Sequence, residues 1–159
     1  MKVLDKEKSN LLVEFVLRSK EGLSVEKPEE KRIDFIVRTE TETYAVFTRY
    51  RNFPLQETKS RTLQTEEEER IEDICNDKYI PLIAYVFYEE KTEKIYIFLM
   101  TLDRMHELAD SDYEFLNNVL HGVDIKFGIG KEFNDTLFDG LKRQVCTTEI
   151  SFEETDNPF

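Results

Sequence analysis

The stretch RIDFIVRTETETYAVFTRYR, residues 32–51, decides the fold of this chain, because it is typical of two strands joined by a turn. The residues of each half sort alternately onto two faces, which is the period of a strand. The segment TETET between the halves contains no Gly or Asn and predicts a hairpin loop of four or five residues. Such a loop places Asp34 opposite the segment 47–49.

The alternation also predicts which side chains share a face of this hairpin. On the first strand, the two predicted faces are Ile33, Phe35 and Val37, and Asp34, Ile36 and Arg38. On the second strand, they are Tyr44, Val46, Thr48 and Tyr50, and Ala45, Phe47, Arg49 and Arg51. The simplest role for Asp34 and Arg49 is therefore an ion pair across one face of the sheet.

The residues before the hairpin predict a helix and a short strand. Apolar residues recur at helical spacing over residues 5–19, and charged residues lie between them. Gly22 follows as a helix stop, since glycine takes the left-handed conformation most easily. A short strand is expected before Pro28, because proline cannot donate to a central ladder.

The residues after the hairpin predict three more helices and three more strands. Thr65 and Glu68 have the spacing of a capping box and predict a helix over 65–76. Two apolar runs, YIPLIAYVFYEE and EKIYIFLMTL, predict a central hairpin that is covered on both faces. A helix capped by Ser111, the strand VDIKFGIG and a last helix complete the chain.

This order of elements predicts a single domain over residues 1–146, of the α/β (α+β) class. We expect one mixed β-sheet flanked by helices, with a helix-strand-helix extension at the C-terminal end. Residues 147–159 are predicted to be an acidic, flexible tail.

The charge balance limits the partners of the chain. The 159 residues carry 34 acidic and 22 basic side chains, so the formal net charge is −12. This is the reverse of a typical nucleic-acid-binding protein, and it favours a basic protein as partner. Two cysteines are too few for a disulfide framework or a zinc cage. No secretion signal or membrane helix is evident, so the chain is expected to be soluble and cytoplasmic.

The element order αβββαββ over about residues 10–102, with the positions of its acids, resembles the PD-(D/E)XK nuclease superfamily, which has the restriction-endonuclease-like fold. In that family a glutamate often lies on the first helix, an aspartate on the second strand, and an acid, one residue and a lysine on the third. The acids bind a divalent cation such as Mg²⁺, and the lysine orients or activates the attacking water. The resemblance assigns Glu14 and Asp34 to the first two positions.

The third strand departs from this pattern. Phe47 takes the position of the acid and Arg49 that of the lysine. Phenylalanine cannot bind a metal ion, and arginine stays charged and cannot accept a proton. The site is therefore expected to be degenerate. An alternative is a migrated site, since the segment QETK supplies Glu57 and Lys59, and a metal ion would then be bound by Asp34 and Glu57.

Three functions therefore stay open. The first is a catalytically inactive nuclease-like domain that binds a protein, as an immunity, anti-defence or regulatory factor or as a nucleic-acid mimic, without a cofactor. The second is a Mg²⁺-dependent endonuclease built on Glu14, Asp34, Glu57 and Lys59. The third is a non-catalytic nucleic-acid-binding protein, whose candidate contacts are Arg38, Arg49, Tyr50, Arg51 and Arg61.

Two residues that could carry chemistry also have simpler interpretations. Glu14 is then a solvated carboxylate on the surface of its helix, and Cys75 is a packing residue on the apolar side of the next one. A homodimer contact by the C-terminal helices also stays open.

Overall fold

A mixed β-sheet runs through the centre of the computed structural model, which describes residues 4–53, 60–121, 126–129, 135–145 and 153–155. Its strands are β1 Ser24–Glu26, β2 Phe35–Arg38, β3 Thr43–Phe53, β4 Ile80–Glu89, β5 Lys94–Thr101, β6 Lys126–Ile129 and β7 Glu153–Thr155. The helices are α1 Lys6–Arg18, α2 Thr65–Cys75, α3 Leu102–Leu108, α4 Asp112–His121 and α5 Asp135–Gln144.

The strands are arranged in the sheet in the order of the sequence. Strands β1, β2 and β3 are antiparallel neighbours, β3 and β4 are parallel, and β4 and β5 form an antiparallel hairpin. Strands β6 and β7 continue the sheet beyond β5. Helix α2 makes the crossover between the two parallel strands, as parallel pairing requires. The mixed α+β class and the single mixed sheet were predicted correctly, whereas α3 was not predicted.

Helices cover both faces of the sheet. One core contains apolar residues of α1 and α5, and the other contains those of α2, α3 and α4. Strand β4 contributes alternate residues to the two cores, with Leu82 and Ala84 in the first and Ile83 and Tyr85 in the second. The prediction that the β4–β5 hairpin is central and covered on both sides is confirmed. Among the helices that the structure describes, none is long and apolar enough to cross a membrane.

The chain bends just before β2, and this bend breaks the predicted alternation. Phe35 and Val37 pack in the α1 core as one face, whereas Ile33 packs in the opposite core, so its predicted face was wrong. The reason is that the regular strand begins only at Phe35. The hairpin loop has four residues, 39–42, as predicted, and Thr39 Oγ1 accepts hydrogen bonds from the N–H groups of Thr41 and Glu42.

Two helix ends differ from the prediction. Helix α2 has Gln64 as its N-cap, because the carbonyl of Gln64 accepts from Glu67 and Glu68, so the capping box at Thr65 was wrong. Helix α1 ends at Arg18 with Ser19 as its C-cap, so the prediction that Gly22 caps the helix was wrong, and Gly22 takes a φ of 79° in the turn that follows.

Strand β7 lies within the segment predicted as a tail, and it pairs with β6. The remaining residues of 147–159 lie outside the described part of the chain.

Candidate functional site

The carboxylate of Asp34 is bound on all sides by groups of the protein. Its Oδ2 accepts hydrogen bonds from Lys6 Nζ at 2.9 Å and from the Thr48 backbone N–H at 2.8 Å. Its Oδ1 accepts from the Asn10 side-chain amide at 3.2 Å. Strand β2 starts one residue after Asp34. The N–H of Thr48 in β3 therefore bonds to the Asp34 carboxylate, in the place where a regular strand pair would offer a backbone carbonyl. The predicted location of Asp34 opposite the segment 47–49 is confirmed.

The ammonium group of Lys6 has a central position in this arrangement. It donates to Asp34 and also, at 2.8 Å, to the carbonyl oxygen of Thr48. The charges of Lys6 and Asp34 thus neutralise each other, and two uncharged amide groups complete the hydrogen bonds of the carboxylate. A metal ion would need to replace Lys6 before it reached the Oδ2 atom.

Glu14 does not take part in this cluster. Its carboxylate accepts from Arg18 Nε at 3.0 Å and lies 3.3 Å from Lys27 Nζ. Glu14 is only 6% exposed, so its interpretation as a solvated surface carboxylate was wrong. Glu14 is absent from the Asp34 cluster because of its position along the helix. Lys6 and Asn10 lie on the same side of α1 but nearer to Asp34.

Phe47 and Arg49 occupy the two positions that the resemblance assigns to an acid and a lysine. The ring of Phe47 is 1% exposed and packs in the core beneath α2 and α4. Arg49 forms an ion pair with Glu67 of α2, and its Nη1 donates to the Thr48 carbonyl at 2.8 Å. The predicted ion pair between Asp34 and Arg49 was wrong, because each side chain has a nearer partner from a helix.

No group of three or more His, Cys, Asp or Glu side chains that could bind a metal ion occurs among the described residues. Glu57 and Lys59, the predicted members of a migrated site, lie outside those residues.

A cleft of about 380 Å³ opens beside Asp34, between the C-terminal half of β3 and the first turn of α2. We name it the basic cleft, and its walls include Lys6, Thr48, Arg49, Tyr50, Arg51, Gln64, Glu67 and Tyr85. Three cationic side chains from α1 and β3 meet there. Each of the three is paired with a carboxylate: Lys6 with Asp34, Arg49 with Glu67 and Arg51 with Asp112.

Arg51 is held by a buried carboxylate at the start of α4. Its Nε donates to Asp112 Oδ2 at 2.8 Å, and Tyr85 Oη donates to Asp112 Oδ1 at 3.3 Å. Asp112 is 1% exposed, and burial raises the pKa of its carboxyl although Arg51 lowers it. Burial also raises the pKa of the Tyr85 hydroxyl, so this group stays protonated and remains a donor.

The structure brings together three of the five predicted binding residues, namely Arg49, Tyr50 and Arg51. Arg38 pairs with Glu26 near the hairpin loop, and Arg61 Nε donates to the Leu63 carbonyl at 3.2 Å.

The sequence interpretation missed Lys6, Glu67, Tyr85 and Asp112. Only Lys6 had a signal in the sequence, since it lies four positions before Asn10 on one side of a predicted helix. The other three reach the cleft through the packing of α2, β4 and α4 against β3.

Comparisons of the chain with protein-family models, with curated proteins and with solved structures gave no match.

Proposed function

We propose that this chain is a restriction-endonuclease-like domain without catalytic activity, and that it acts by binding another protein. The state of Asp34 carries the proposal. Its two oxygens are engaged by Lys6, Asn10 and Thr48, where a nuclease would hold a divalent cation. A hard cation needs several anionic oxygens, and the neighbouring strand offers the buried ring of Phe47 instead.

The arrangement of the sheet supports the nuclease-like part of the proposal. The resemblance implies a helix, three strands, a helix and two strands, with the site on the second and third strands. The described elements occur in that order, and Asp34 does meet β3 in space through its bond to Thr48. A site with this geometry and no second carboxylate is what a nuclease-like domain would have after it lost its metal-binding residues.

Surface charge supports the choice of a protein partner. The outer side of α2 presents four exposed acids, which we name the acidic face: Glu66, Glu69, Glu72 and Asp73. With a net charge of −12, such a surface repels phosphate and attracts a basic protein. The partner would be a basic protein that the chain inhibits, or one that otherwise binds DNA. An immunity, anti-defence or regulatory role is a version of this function.

The catalytic half of the proposal is tested by cleavage and calorimetry. Supercoiled plasmid incubated with the chain and Mg²⁺ or Mn²⁺ should stay intact, and neither ion should give a binding isotherm. The wild type and Asp34→Ala should behave identically. Cleavage by the wild type that Asp34→Ala abolishes would instead establish the alternative, a magnesium-dependent nuclease that uses Asp34 with Glu57 and Lys59.

The partner half is tested by a matched pair of variants. The tagged chain is expressed in the organism that it comes from and is purified by its tag. A basic protein should be purified with it and should elute as salt increases, since salt screens exposed charges. Replacement of Glu66, Glu69 and Glu72 by Gln should abolish retention. Replacement of Glu21, Glu29 and Glu40 by Gln removes the same charge from exposed positions elsewhere and should leave it intact. Equal loss in both variants would refute a role for the acidic face.

A further inference from the structure

We propose that a cleft at the C-terminal end of α2 binds an arginine side chain of the basic protein partner. The cleft has a volume of about 350 Å³ and lies between the end of α2, the start of β4 and the first turn of α3. We name it the acidic cleft. The inference deepens the proposed function and rests on it, because it identifies the pocket that anchors the partner.

Three exposed carboxylates line the acidic cleft: those of Glu72, Asp77 and Asp103. Within the described part of the chain, none of these side chains forms an ion pair or a hydrogen bond. The basic cleft differs in this respect, because each of its cations has a carboxylate partner. The negative charge of the acidic cleft is therefore left uncompensated, and it attracts a cationic group.

The helix that leads into the acidic cleft adds to this preference. A helix carries a partial negative charge at its C-terminal end, which basic residues of the last turn often compensate. Helix α2 has eleven residues and no basic residue in its last turn, where Glu72 and Asp73 lie instead. A cation from another protein would compensate both the helix end and the carboxylates.

Apolar side chains form the rest of the wall: Cys75, Ile80, Pro81 and Leu102. Such a wall suits the alkyl stem of a long basic side chain, which packs on apolar surface while its charged end contacts the rim. The half-buried ring of Tyr79 also lines the cleft. This ring already attracts a cation, since Lys78 Nζ lies 5.3 Å from its centre.

The arrangement of the carboxylates favours an organic cation over a metal ion. They belong to three successive parts of the fold, and they form no group that could bind a metal ion. A guanidinium carries five N–H donors spread in a plane, so it can reach carboxylates that do not converge on one point. The ammonium of lysine is a compact and strongly hydrated charge, and it fits such a rim less well.

The acidic cleft is continuous with the acidic face of α2, because Glu72 belongs to both. A basic protein that contacts the exposed acids of α2 therefore meets the cleft on the same side of the molecule. Arginine is among the residues that most often contribute a large share of the binding energy when they fill a pocket at an interface. The cleft offers one arginine of the partner such a pocket.

Nuclear magnetic resonance titration of the isotope-labelled chain with Nα-acetylargininamide tests the cleft. The backbone amide signals of Cys75, Tyr79 and Leu102 should shift and reach saturation. Nα-acetylcitrullinamide has nearly the same shape without the charge, and it should bind at least about threefold more weakly. Nα-acetyllysinamide should also bind more weakly than the arginine compound.

A matched pair of double variants assigns the binding to the cleft. Asp77→Asn combined with Asp103→Asn should weaken binding by about threefold or more, since two charge contacts are lost. Asp73→Asn combined with Asp139→Asn removes the same charge from exposed positions outside the cleft, and its effect should stay below about twofold. Asparagine tolerates the φ of 58° at position 77, and circular dichroism checks that both variants are folded.

The outcomes decide the inference separately from the proposed function. Saturable shifts at the cleft with this pattern of variants support it. Shifts that do not saturate at tens of millimolar, or equal weakening in the two double variants, overturn it. Equal or tighter binding of the lysine compound overturns the assignment to arginine.

Purification by the tag distinguishes the two failures. A basic protein that elutes from the Asp77→Asn, Asp103→Asn variant at the same salt as from the wild type overturns the inference and leaves the proposed function standing. A wild type that retains no basic protein is a failure of the proposed function, and the titration still decides whether the cleft binds arginine.

Discussion

Substitution of Asp34 by alanine should destabilise the fold, and the sign of this effect distinguishes a structural carboxylate from a metal ligand. In the structure the carboxylate is 11% exposed and accepts three hydrogen bonds. Without it the Thr48 N–H and the Asn10 amide lose their acceptor in a part-buried place. In a working metal site without its ion, removal of one carboxylate relieves repulsion and often increases stability.

The magnitude follows from the donors. A part-buried hydrogen bond to a charged group contributes about 1.5 to 3 kcal/mol. The ion pair to Lys6 adds only about 0 to 1 kcal/mol, because the lysine is 47% exposed and can turn to water. The free energy of unfolding should therefore fall by about 2 to 3 kcal/mol in Asp34→Ala. Asp34→Asn keeps one acceptor oxygen and should lose about 1 to 2 kcal/mol.

Urea denaturation followed by circular dichroism measures this change. With a slope of about 2 kcal/mol/M, the midpoint of Asp34→Ala should move down by about 1 to 1.5 M. Asp73→Ala, which removes an exposed carboxylate from α2, is the control and should change the free energy of unfolding by less than about 0.5 kcal/mol. An unchanged or higher midpoint for Asp34→Ala would refute the structural role of this carboxylate.

Three further predictions concern two residues of the core beneath α2 and α4 and the buried carboxylate of Asp112. Phe47→Ala should lower the free energy of unfolding by about 3 to 5 kcal/mol, because the ring is 1% exposed, and Phe47→Leu by much less. Urea midpoints measure both, and a loss below about 1 kcal/mol for Ala would contradict the burial of this ring. Burial raises the pKa of Asp112 above its ordinary 3.8, so the folded state binds this proton more tightly than the unfolded state. The stability of the wild type should therefore fall relative to Asp112→Asn as pH rises from 3.8 through the raised pKa, and parallel pH profiles would be the opposite outcome. Burial also raises the pKa of the Cys75 thiol to about 11, so iodoacetamide should alkylate it slowly in the native protein and quickly in urea. Mass spectrometry of the Cys75 peptide measures the rate, and fast native alkylation would show that the thiol is accessible.

The sheet and most of its helices follow from local chemistry that is visible in the sequence. The alternation of residues 43–51 predicts correctly that Val46 and Phe47 face opposite cores, because side chains of a strand point alternately to its two faces. The apolar runs of β4 and β5 likewise predict a hairpin covered on both sides. Cys75 lies in a core, as its place on the apolar side of the helix predicted.

Only the tertiary structure decided which groups meet at the site. The alternation of a strand shows which face a side chain takes, but it does not show where the strand begins. The bend at Asp34 turns its carboxylate toward α1 instead of toward Arg49. Lys6 lies 28 positions before Asp34, and Asp112 lies 61 positions after Arg51. Such pairs form because the crossover through α2 and the packing of α1 and α4 carry distant segments to one edge of β3, and no local pattern encodes that approach.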